Sequence, residues 1–105
     1  MPEVTYNGKT FVVDEDGFLA NFEDWGPEWV EYVQKSEGLA EIVDAHYDVM
    51  KFLQEYYEKN GIAPMVRVLS KNTGYKLKDI YDLFPSGPGK GACKMAGLPK
   101  PTGCV

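Results

Sequence analysis

Residues 39–61 read LAEIVDAHYDVMKFLQEYYEKNG, and this stretch decides the fold. Leu39, Ile42, Val43, His46, Val49, Met50, Leu53, Tyr56 and Tyr57 recur every three or four positions. That is the spacing of one apolar helix face. Glu41, Asp44, Asp48, Glu55 and Glu58 fall mostly on the other side. The pattern predicts a helix over residues 40–59, stopped by Asn60-Gly61. A helix with one apolar stripe needs other elements to cover it. His46, set in the stripe, reads as a hydrogen-bonded core histidine rather than a metal ligand.

Upstream, Pro27 suits the first position of a helix running to Glu37 and ending at Gly38. Trp25, Trp29 and Val33 fall four apart on one face of it, and Asn21 can cap a short turn through Trp25. Earlier still, VTYNGKTFVV alternates about Asn7-Gly8, the dipeptide of a type I′ hairpin, whose two central residues both need positive φ. A third short strand is expected at Phe18-Leu19, after the acidic turn Asp14-Glu15-Asp16-Gly17. Downstream, Pro64 is expected to open a helix to Ser70, with Met65, Val66, Val68 and Leu69 mostly inward and Asn72-Thr73-Gly74 as its breaker. A further helix over 76–84 carries the stripe Leu77, Ile80, Tyr81 and Phe84. The predicted fold class is α+β, mainly α: a small N-terminal β-meander or hairpin packed on an array of about five helices, with a flexible C-terminal arm.

A chain of 105 residues with 44% hydrophobic content can bury one core. No apolar run approaches the roughly 20 residues of a membrane span, and MPEVTYNGKT lacks the basic-then-apolar pattern of a signal peptide. The expectation is a cytoplasmic protein without membrane insertion. The net charge of −5 is split: residues 1–60 sum to −10 and residues 61–105 to +5. The split fits a basic working face. It fits equally an acidic solubility surface with ordinary lysines elsewhere.

From Pro85 the composition shifts to five glycines and four prolines in 21 positions, a share associated with flexible chain. The division expected is one domain over 1–96 and a mobile arm over 97–105. Both cysteines, Cys93 and the penultimate Cys104, lie in this stretch. Their spacing is not that of a Cys-x-x-Cys oxidoreductase, and one histidine with two cysteines does not complete a tetrahedral zinc site. A disulfide between them would close a loop worth about 3 kcal/mol in a free chain. It would stabilise little where the arm is mobile in the native state too. Two sulfurs joined by a bond of small structural value read as a working redox pair. Extended, residues 97–105 reach about 30 Å, enough to enter another protein's buried site. The basic residues Arg67 and Lys71, four apart on one predicted helix, and Lys100 on the arm are candidates for docking the arm or favouring a thiolate. They read equally as solvated surface charges. The two short helices about Asn-Thr-Gly-Tyr suggest a helix-turn-helix, but Asp79 and Asp82 on the second would repel phosphates, so DNA is not the expected partner.

The segments GLPKPTG before Cys104, GKGACKMAG around Cys93, NGIAPMVRVLSKNTG, DEDGFL and EDWGPEWVEYV together resemble the DsrC/TusE sulfur-carrier family. Within it they resemble the gamma-subunit branch of dissimilatory sulfite reductase. The resemblance spans essentially the whole chain. It implies a co-substrate rather than a stand-alone enzyme, whose arm enters the α and β subunits. Sirohaem and iron–sulfur clusters would belong to that partner, and no cofactor or metal to this chain. It further implies that Cys104 takes up sulfur and that Cys93 closes on it to a trisulfide or disulfide. A membrane-bound complex would then reduce that product and release sulfide. TusE-type members relay persulfide for tRNA 2-thiouridine formation and keep only the penultimate cysteine; Cys93 favours the sulfite reductase branch. A DNA-binding regulator is the alternative from a different class.

Overall fold

The computed structural model describes residues 2–101. Strands β1 (Glu3–Tyr6) and β2 (Lys9–Val12) form an antiparallel hairpin in which Val4 faces Phe11 and Thr5 faces Thr10. Asn7 (φ 51°) and Gly8 (φ 80°) supply the left-handed turn that Asn-Gly predicts. Past β2 the Asp14 carboxylate accepts the Asp16 and Phe18 N–H groups, both at 2.9 Å, and turns the chain back. The expected third strand shrinks to an isolated bridge between Val13 and Leu19. A 3₁₀ turn begins at Phe22, too soon for a ladder to grow.

Helix α1 (Pro27–Glu37) has Pro27 in its first turn and Gly38 at φ 73° as its stop. Helix α2 (Asp44–Asn60) begins four residues later than its stripe predicts. Leu39 is occupied in ending α1: its N–H donates to the Gln34 carbonyl, and its own carbonyl accepts from the Gln34 amide. His46 then starts α2, its Nδ1 accepting the Val43 N–H at 3.0 Å. That leaves Nε2 as the protonated nitrogen, donating to the Leu83 carbonyl at 2.9 Å. The histidine is buried and satisfied on both sides, as its place in the stripe predicts.

Helix α3 (Val66–Thr73) starts two residues late and runs through the expected breaker to Gly74 (φ 81°). Asn72 and Thr73 continue it by donating back to the Val68 and Leu69 carbonyls. Of its expected inward residues only Leu69 is buried, and Met65 is 56% exposed. Helix α4 (Leu77–Leu83) buries Ile80, with Phe84 just beyond it, while Leu77 and Tyr81 face out. Helix α3 packs on α2 and α4.

The glycine- and proline-rich stretch departs furthest from the composition-based expectation. Pro88–Cys93 is a π-helix, and Pro88, Gly89, Gly91, Ala92 and Cys93 are buried in it. Met95, Ala96 and Leu98 complete the same core with Phe11, Trp29, Val49 and Leu53. The glycines serve contact rather than flexibility. A Cβ on Gly91 would stand 3.0 Å from both the Phe84 Cβ and a Glu37 carboxylate oxygen. That carboxylate in turn accepts the Ser86 N–H and hydroxyl at 3.1 and 2.6 Å. Among the described residues no helix is long and apolar enough to cross a membrane.

Candidate functional site

Cys93 ends the π-helix, which packs against α2. The residue is 1% exposed, and burial pushes the thiol pKa up from 9.0 to about 12. The nucleophilic thiolate is thereby strongly disfavoured at neutral pH. In this conformation Cys93 is an inert core thiol.

The turn after it is held by side chains from distant parts of the chain. Trp29 Nε1 donates to the Lys94 carbonyl at 2.7 Å, Trp25 Nε1 to the Met95 carbonyl at 2.8 Å, and Gln54 Nε2 to the Ala96 carbonyl at 2.9 Å. These are the last carbonyls of a helical segment; that of Lys94 also accepts the Gly97 N–H at 3.1 Å, whereas those of Met95 and Ala96 are taken up by the side chains. Gly97, at φ 79°, lies under the Trp25 indole so closely that a Cβ would come within 2.6 Å of Cδ1. The Leu98 N–H donates back to the Cys93 carbonyl at 3.1 Å, and the Leu98 side chain is 3% exposed.

The expected arm boundary at residue 97 therefore shifts. Gly97 and Leu98 belong to the packed body, and the chain first reaches the surface at Pro99 and Lys100. Lys100 Nζ meets Asp16 of the acidic turn at 3.2 Å. With both side chains about half exposed, this pair contributes little stability. Two clefts flank the exit. One of about 670 Å³ includes Leu19, Phe22, Gln54, Tyr57, Leu98 and Pro99 in its lining. The other, about 240 Å³, lies along Phe18, Tyr81, Gly87, Pro88, Lys100 and Pro101.

The predicted site residues thus separate. Cys93 and Lys100 share one continuous segment, the second two residues past the last buried side chain. Arg67 and Lys71 are both exposed on α3, and no acid among the described residues pairs with either. Cys104 lies outside the described residues. Trp25, Trp29, Gln54 and Asp16 were not among the candidates. The signal for the tryptophans was present: a buried indole N–H needs an acceptor, and a glycine-rich helix end offers carbonyls that need donors.

The fold and this geometry define a class: a small α+β thiol protein that stores one cysteine in its core and brings the chain to the surface one turn later. The chain belongs to the family described as DsrC like protein, whose family model matches residues 5–105. It is 73% identical, over the full length of both chains, to the dissimilatory-type sulfite reductase subunit gamma of Nitratidesulfovibrio vulgaris. It is 34% identical to the sulfurtransferase TusE homolog of Haemophilus influenzae, covering 94% of this chain and 96% of that protein. Among solved structures it matches a chain of dissimilatory sulfite reductase I (DsrI), with TM-score 0.91, 65% identity and coverage of 99% and 100%. It also matches the oxidized gamma subunit DsrC of Archaeoglobus fulgidus, with TM-score 0.85, 42% identity and the same coverages.

Proposed function

We propose that this chain is a cytoplasmic sulfur carrier and co-substrate of a dissimilatory sulfite reductase, with Cys104 as its travelling thiol and Cys93 as its closing thiol. The observation that carries the reading is the turn at residues 93–98. It fixes a buried cysteine at the root of a segment that carries a second, Cys104. The relatives named as gamma subunits of dissimilatory sulfite reductase support the choice of partner. From Pro99 to Cys104 the chain spans about 20 Å when extended, a working reach into a recessed site on the α and β subunits. Sirohaem and iron–sulfur clusters are assigned to those subunits.

The chemistry balances as a condensation. A sulfite-derived sulfur at the +2 level, written S(OH)₂, reacts with the two thiols to give Cys104–S–S–S–Cys93 and two waters. Two S–O bonds break, two S–S bonds form, and the thiol sulfurs supply the two electrons that bring the central atom to the zero level. Alternatively, a Cys104 persulfide attacked by the Cys93 thiolate gives the disulfide and releases hydrosulfide. Reducing the trisulfide consumes four electrons and four protons and yields two thiols and hydrogen sulfide; a membrane-bound complex is the proposed reductant. Arg67, Lys71 and Lys100 are proposed as docking charges.

The test is affinity capture of the tagged chain from its native source, followed by absorption spectroscopy and subunit identification. Recovery of a sirohaem-bearing α/β partner is expected. Recovery of tRNA-thiolation proteins without sirohaem would replace this reading with the persulfide relay.

A further inference from the structure

Cys93 closing on a loaded Cys104 presents a physical difficulty. The thiol of a residue only 1% exposed cannot meet a sulfur arriving from outside, so the segment around it must open first. The structure shows what opposes that opening. Three consecutive carbonyls, those of Lys94, Met95 and Ala96, are each held by a side chain: Trp29 on α1, Trp25 before it and Gln54 on α2. The Trp25 indole also covers Gly97, and the Leu98 N–H closes the turn onto Cys93 itself. Trp25 and Gln54 are only half-buried, whereas Trp29 is fully buried. The outer two anchors can therefore exchange with water while the Trp29 contact and the rest of the core stay intact.

We infer that Trp25 and Gln54 are positioning residues that latch the turn after Cys93 beyond the fixed Trp29 contact, and that release of this latch, not unfolding of the domain, exposes the Cys93 thiol. The latch keeps Cys93 from reacting with oxidants and stray disulfides until the outgoing segment is pulled. Lys100 and Pro99 lie immediately outside it, so a partner that draws on the arm draws on the latch. The inference deepens the carrier reading by assigning the gate on its second thiol. Its test uses no reductase, so the two can fail separately.

The chain has two cysteines, so Cys104→Ala leaves Cys93 as the sole thiol. Its alkylation by iodoacetamide is followed from zero to denaturing urea. Expected is a slow rate at low urea that barely depends on denaturant, joined at high urea by the steep branch of global unfolding. Trp25→Phe keeps an aromatic ring and removes the donor; Gln54→Leu keeps the bulk and removes the amide. Each should raise the low-urea rate about five- to tenfold, the effect of one lost hydrogen bond on an opening equilibrium. Leu69→Ala, on the buried face of α3, should shift only the steep branch. A purely structural role for Trp25 would likewise move only that branch and would overturn the inference. So would an unchanged low-urea rate in both latch variants, or alkylation of Cys93 that follows global unfolding throughout.

Discussion

Substituting Gly97 by alanine should cost far more than the same change at Gly61, although both glycines sit at nearly the same left-handed φ, 79° and 71°. At Gly61 nothing lies within 4 Å of the added Cβ. The cost there is that of forcing an L-residue into the left-handed region, about 1–2 kcal/mol. At Gly97 the Cβ would stand 2.6, 3.0 and 3.1 Å from Trp25 Cδ1, Cγ and Cβ. The ring cannot retreat without breaking its 2.8 Å bond to the Met95 carbonyl. Losing that bond adds about 1 kcal/mol, and displacing a packed indole adds about 1–3 kcal/mol more. Gly97→Ala is thus expected at about 3–6 kcal/mol, about 2–4 kcal/mol beyond Gly61→Ala. Urea titrations followed by far-ultraviolet circular dichroism would read this as a midpoint lower by about 2 M at an unchanged m-value. Costs agreeing within about 0.5 kcal/mol would show that Trp25 does not bear on Gly97.

Truncation tests where the body ends. Removing residues 99–105 is expected to cost under about 1 kcal/mol, whereas removing 97–105 also strips the buried Leu98 and should cost about 2–3 kcal/mol more; equal urea midpoints for the two would contradict the packing of Leu98. The Cys93 thiol predicts a pH dependence. Its folded pKa is raised, so its contribution is fully present below about pH 9, the unfolded value, and is lost as pH rises toward 12. Stability should fall by about 1 kcal/mol from pH 9 to 10, relative to Cys93→Ala measured in parallel. Tyr6 and Tyr75, each with a pKa raised above 10.0 by its hydrogen bond to Glu31 or Asp48, add the same trend toward the top of that interval, and the Cys93→Ala reference cancels it. Parallel curves for the two proteins would mean that Cys93 is solvated.

The elements most legible in the sequence were those whose signals are local. Asn7-Gly8 dictates its hairpin turn, Pro27 and Gly38 bound α1, and the stripe through His46, Val49, Met50 and Leu53 marks the buried face of α2. The start of α2 was displaced because Leu39 is spent on capping α1, a tertiary use that periodicity does not record. Composition misled most after Pro85. Glycine there marks close approach at Gly91 and Gly97, and a stretch that reads as linker forms the floor of the core. Of the site, Cys93 was visible as a residue, but its burial and its three side-chain anchors were not. Those depend on contacts 42 to 70 positions apart.

The division of labour between Cys104 and Cys93 is tested most directly by intact-mass spectrometry after turnover with sulfite, reductase and reductant. The wild-type chain is expected to gain about 30 Da, one sulfur less the two hydrogens lost on closure. Cys93→Ala should gain about 32 Da as an open persulfide, and Cys104→Ala should gain nothing. Sulfur loaded on Cys104→Ala as readily as on the wild type would contradict the account, since the acceptor would then be the cysteine that the fold keeps buried.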